Sequence, residues 1–147
     1  MNPDEHPEIR SWIDSYTGDL DFVDFLTQNC SVGMWLAFSH LVCPKFVEVQ
    51  GCILWERKYD PENFQTWHRH LDGNIYKIET IINRLVVGDI VQCDDTPEDL
   101  RALSDIARAV ADCWKATLAR AFPSSSFDVL VLDTEDGPTI TFGRVSS

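Results

Sequence analysis

His68 and His70, one residue apart and followed by Asp72, are the nearest approach to a metal-binding set in this chain. Imidazole nitrogens and a carboxylate are ordinary ligands for Zn or Fe. Helix geometry works against them: residues two apart on a helix point about 200° apart, so both rings reach one ion only if the helix has ended by His70. No third histidine or cysteine stands at a ligand spacing beside them. His40 follows Ser39, but adjacency in sequence does not make a base and a nucleophile, and this histidine is expected at a helix end.

Tyr76, Glu79 and Asn83 recur at helical spacing and share a face read as distinct from the neighbouring isoleucine stripe. With Trp55 as an aromatic partner they form the candidate binding set; the competing expectation is an exposed polar stripe. Acid and base roles are normally divided between two carboxylates, and Glu79 has only the distant Asp72 or Asp89 to share them with. Asp94-Asp95, Glu98-Asp99 and Glu135-Asp136 offer oxygen ligands to Mg or Ca, yet none has the alternating acids of an EF-hand loop, and caps and turns account for them. The chain contains no GxSxG elbow, no GxGxxG or GxxxxGK[ST] phosphate loop and no CxxC pair among its five cysteines. No catalytic residue and no cofactor is assigned on this basis. Trp35, Trp67 and Trp114 are expected in the core, whereas an exposed Trp12 or Trp55 would point to an interaction surface.

Charge constrains the partners. Twenty-four Asp and Glu face twelve Lys and Arg, a formal net charge of -12, which repels nucleic-acid phosphates and anionic membrane surfaces and favours solubility or a basic protein partner. The densest basic cluster, Trp55-Glu56-Arg57-Lys58-Tyr59, could stack on single-stranded bases, but Glu56 and Asp60 dilute it. No apolar run reaches the roughly 18 residues of a membrane span, and the start Met1-Asn2-Pro3-Asp4-Glu5 is acidic where a signal peptide would be basic. A cytoplasmic protein with free thiols is expected.

The elements that must position these residues follow from periodicity and caps. One domain over residues 1–147 fits the length, with residues 1–18 as an arm anchored by Trp12 and Ile13. Helices are expected after Asp19, after Ser31 and before Pro44, after Asp60-Pro61, and from Asn74 to Gly88. A longer one is expected between Thr96-Pro97 and Pro123, with Leu100, Leu103, Ala107, Val110, Trp114, Leu118 and Ala121 as its stripe. Phe46 to Trp55 alternates and reads as one strand bulged at Gly51, with Val47, Val49, Ile53 and Trp55 on one face; a tight turn between two very short strands is the minor alternative. Phe127–Leu132 and Thr139–Val145 form a hairpin around Asp136-Gly137-Pro138, and its first strand, apolar on both faces, is expected to be central. The fold class is therefore α+β: a small antiparallel sheet of about three strands, C-terminal hairpin central, covered on one face by four or five helices. An uncovered sheet face or edge would serve an interaction or a homodimer.

By analogy of size and charge, the leading expectation is a protein-interaction module of the immunity, inhibitor or adaptor type. Behind it stand a small metal-assisted or acid/base enzyme using His68, His70, Asp72 and Glu79, and a ligand-binding module with an aromatic pocket.

Overall fold

The structure, a computed structural model, describes residues 1–146. It is α+β, with six α-helices and two small antiparallel sheets. After a 3-10 turn at Pro3–Glu5, α1 spans Pro7–Asp14, α2 Phe22–Asn29 and α3 Val32–Val42. Strands β1 (Phe46–Val49) and β2 (Cys52–Trp55) follow, then α4 (Pro61–His70), α5 (Ile75–Ile82), β3 (Leu85–Val86), α6 (Pro97–Ala121), β4 (Ser126–Thr134) and β5 (Gly137–Ser146).

Caps set the helix starts where the sequence places them. Asp21 and Asp24 form a reciprocal capping box on α2, and the Ser31 hydroxyl accepts from the Met34 N–H on α3. Asp60, Asn74 and Thr96 cap α4, α5 and α6 in the same way, with proline at the first position of α4 and α6. The expected N-terminal arm is itself helical. It carries α1, buries Ile13, and is tied to the start of α6 by His6 Nε2 and Asp99 Oδ1, 2.7 Å apart.

The span from Phe46 to Trp55 is not one bulged strand but the alternative, two short strands joined by a tight turn. Gln50 and Gly51 both take positive φ, 48° and 82°, the geometry of a two-residue turn matched to strand twist. Phe46 pairs with Trp55, Val47 with Leu54, Glu48 with Ile53 and Val49 with Cys52. Paired residues share a face, so Ile53 and Trp55 lie with Phe46, while Val47 and Val49 lie opposite, with Leu54 and Cys52. The reversal at the turn therefore splits a set that straight alternation put on one face.

That split builds two cores. Ile53 and Trp55 join Leu85, Val87, Ile140, Phe142 and the buried stripe of α6, namely Leu103, Ala107, Val110, Ala111, Trp114 and Leu118. Cys52 and Leu54 join Phe64 of α4 and Ile78 and Ile82 of α5. Leu100 and Ala121, expected in the α6 stripe, are exposed because the helix overruns the core at both ends. Trp114 is fully buried at the centre of the larger core, edge-on to Trp55 with 5.2 Å between ring centroids, and its Nε1–H donates to the Leu41 carbonyl at 3.0 Å. Burying a large apolar side chain stabilises by about 1.5–3 kcal/mol, and the hydrogen bond removes the penalty for the indole N–H.

The larger sheet runs β3-β5-β4. Its C-terminal hairpin provides two of the three strands, but β5, not β4, is the middle one. Thr139 to Phe142 of β5 are buried, while Val131 of β4 is exposed. The chain after α5 explains the order: α5 stops at Asn83 instead of running to Gly88, and Leu85–Val86 turns into β3 against the open edge of β5.

Candidate functional site

Of the residues singled out for binding, Glu79 and Asn83 are fully buried, which overturns the exposed polar stripe. Glu79 lies four residues after Ile75 and three before Ile82, inside the apolar face of α5 and not beside it. Its Oε2 accepts the Ile53 N–H at 2.6 Å and its Oε1 accepts the Arg144 N–H at 2.7 Å. Asn83 Oδ1 accepts the Trp55 N–H at 2.8 Å, and its Nδ2 donates to the Ile53 carbonyl at 3.0 Å. The two side chains complete the outer edge of β2, and Glu79 joins that edge to β5. Arg144 adds a bond from its guanidinium to the Gly51 carbonyl. Burial pushes the Glu79 carboxyl above its usual range, against the lowering effect of the two backbone N–H donors and the Arg144 charge.

Tyr76 and Trp55 bound the same network. The Tyr76 hydroxyl donates to Asp128 Oδ2 at 3.2 Å. Gly143 leaves room for the Tyr76 ring, since a Cβ there would lie 2.7 Å from it. Trp55 is buried, with Arg57 and Lys58 over its ring at 5.6 and 6.0 Å from the centroid, so it offers no face for stacking on a base. These four residues are brought together, and what they jointly bind is the protein's own backbone.

The metal candidates separate. His68 and His70 both lie in α4, His68 against Phe64 and His70 against Trp67, while Asp72 is exposed beyond the helix in a left-handed turn, φ 51°. Among the described residues no three His, Cys, Asp or Glu side chains converge as a metal site requires. Cys52 is the thiol held beside Glu79, and burial together with that carboxylate pushes it up to about 11. A thiol so protonated is a poor nucleophile.

The surface that sequence reasoning missed is α3. Every residue from Ser31 to His40 is exposed, and the apolar ones are conspicuous: Val32 87%, Leu36 61%, Met34 52%, Phe38 51% and Trp35 48%. Trp35, expected in the core, is instead outside it. The C-terminal end of the helix is anchored, by Leu41 and Val42 against the larger core and by the bond from Trp114. A helix apolar on all sides belongs in an interior, and here it has none of its own. The exposed parts of these five side chains total roughly 600 Å2, at the upper end of the largest apolar patches on monomeric proteins. The signal was present in the sequence: no Asp, Glu, Lys or Arg occurs between Asp24 and Lys45.

Beside α3 runs a groove of about 550 Å3, walled on one side by Met34, Ala37, Phe38 and Leu41 and on the other by Trp55, Arg57 and Ile90. Lys45 and Glu56, 3.2 Å apart, stand at its rim. A second cleft, of about 840 Å3, lies where the N-terminal turn and α1 meet α6, and Asp94, Glu98, Asp99 and Asp105 line it above an apolar floor that includes Leu103 and Ile106. Asp99 is engaged there, accepting from the Asp94 N–H and facing His6, and these contacts hold its carboxyl below the usual range.

No family model, curated protein or solved structure matches this chain.

Proposed function

We propose that this chain is a protein-interaction module that works by presenting α3 to another protein. The observation that carries the reading is the exposure of an uncharged, all-round apolar helix on a body whose polar groups are otherwise satisfied: among the described residues no buried side-chain N or O lacks a hydrogen-bond partner. Helix-in-groove recognition uses such apolar anchors at helical spacing, and Trp is enriched where binding energy concentrates. The inhibitor, immunity and adaptor roles expected from size and charge all fall within this reading, as does a reducing, cytoplasmic setting in keeping with five free cysteines. Among the described residues no helix is long and apolar enough to cross a membrane.

The test is affinity capture with the wild-type chain and with a Trp35→Asp, Leu36→Asp variant. A stoichiometric partner held by the wild type and lost by the variant, with equal thermal stability of the two, is the expected result. A partner retained by the variant sinks the reading.

A second reading rests on the acid-lined cleft between the N-terminal turn and α6, which fits a basic segment of a protein partner. Its mark is binding that weakens steeply with salt and survives the α3 substitutions.

A further inference from the structure

We infer that the occupant of the α3 face is a second copy of this chain. The inference rests on the reading of α3 as an interaction helix and names its partner. Two bodies of net charge -12 repel, so they can associate only through a surface from which the acids are missing. α3 and its approaches are that surface, uncharged from Phe25 to Pro44. Around the groove beside it stand the cations Lys45 and Arg57, with Lys58 nearby, and Glu56.

Area points the same way. Roughly 600 Å2 of exposed apolar side chain per copy, extended by the rim of the groove, approaches the ~800 Å2 per partner of a standard specific interface.

A two-fold exchange also accounts for apolarity on every side of the helix. Met34, Phe38 and Leu41, at i, i+4 and i+7, line the groove together with the small Ala37, which lets two helix backbones approach. Val32, Trp35 and Leu36 occupy the opposite side. If each α3 enters the other copy's groove, the groove faces of the two helices meet each other. The Val32, Trp35 and Leu36 faces then lie against the other copy's groove wall at Arg57 and Ile90. Such an interface is isologous and closes at two copies.

The test is sedimentation equilibrium of the full chain over a concentration series, with hydroxyl-radical footprinting of Met34 and Trp35 in the same samples. The expected result is a reversible rise from 16.8 kDa to twice that mass, with both side chains protected as the dimer forms. Added salt should strengthen the dimer, because it screens the repulsion between the acidic bodies. Trp35→Asp and Phe38→Asp should each raise the dissociation constant roughly thirtyfold or more, the scale of a hot-spot residue. A monomer at every concentration with Met34 and Trp35 readily labelled overturns the second copy as occupant and leaves the interaction helix in place. A monomer with both side chains protected overturns the second copy and the interaction reading together.

Discussion

Glu79 and Asn83 show how two polar side chains can substitute for a missing strand. The edge of β2 presents the Ile53 N–H, the Ile53 carbonyl and the Trp55 N–H to α5, and the helix meets all three with side-chain atoms. Each is a buried group whose loss of a partner costs about 1–3 kcal/mol. Asn83→Ala is therefore expected to destabilise the fold by at least that much in urea denaturation. Glu79→Gln keeps the shape but replaces one acceptor oxygen by an NH2 donor facing a backbone N–H, and a loss of about 1–3 kcal/mol is expected again.

The pH dependence of that loss follows from the direction of the Glu79 shift. Its folded-state carboxyl lies above the unfolded value, so its protonation favours the folded state. The stability it contributes is complete below the ordinary carboxylate range and is lost as pH rises through the raised value. The stability gap between wild type and Glu79→Gln should thus be widest in mild acid and narrow toward neutral pH. A gap that widens with pH would show the carboxylate to be favoured in its ionised form.

At the scale of elements, the reversals between expectation and structure occur where chain direction changes. Caps and prolines marked the starts of α4 and α6 because a cap is a contact within four residues and needs no tertiary information. At Phe46–Trp55 the tight-turn alternative holds over the single bulged strand, because a two-residue turn leaves the alternation of side chains unbroken in sequence while folding its second half onto its first. Likewise, the run through Ile82 to Val86 has helical spacing, yet its last two residues pair with β5, a partner more than fifty positions away. The contact between α5 and β5 is close enough to test: Gly143→Ala would place a methyl within 3 Å of the Tyr76 ring and Thr80. Overpacking of this kind costs about 1–3 kcal/mol, so the variant should unfold at lower denaturant with an unchanged slope. Wild-type stability for Gly143→Ala would mean that α5 can lift away from the sheet.

For the molecule as a whole, fold class was legible because segregation of helices and strands survives errors in individual boundaries. The candidate site was legible only in part. Tyr76, Glu79, Asn83 and Trp55 do come together, but as an internal brace, and whether a polar residue on a helix faces water or a strand edge depends on where the strand lies. Net charge drew attention to acidic surfaces and a basic partner, whereas α3 is distinguished by having no charge at all. Sequence reading placed Trp35 in the core on the rule that large apolar residues at helical spacing pack inward. That rule needs a body for the helix to pack against, and α3 is anchored at its last turn. An apolar helix kept out of the fold's own core costs a monomer little in packing when its most exposed side chains are replaced, and this separates an interaction helix from a structural one.

Equilibrium unfolding of Leu36→Asp, measured at concentrations where the chain is monomeric, tests this most directly. The account predicts stability within about 0.5 kcal/mol of wild type, as for a surface substitution. A loss of about 2–5 kcal/mol, the range for a leucine removed from a packed interior, would show that α3 belongs to the core and would contradict the account.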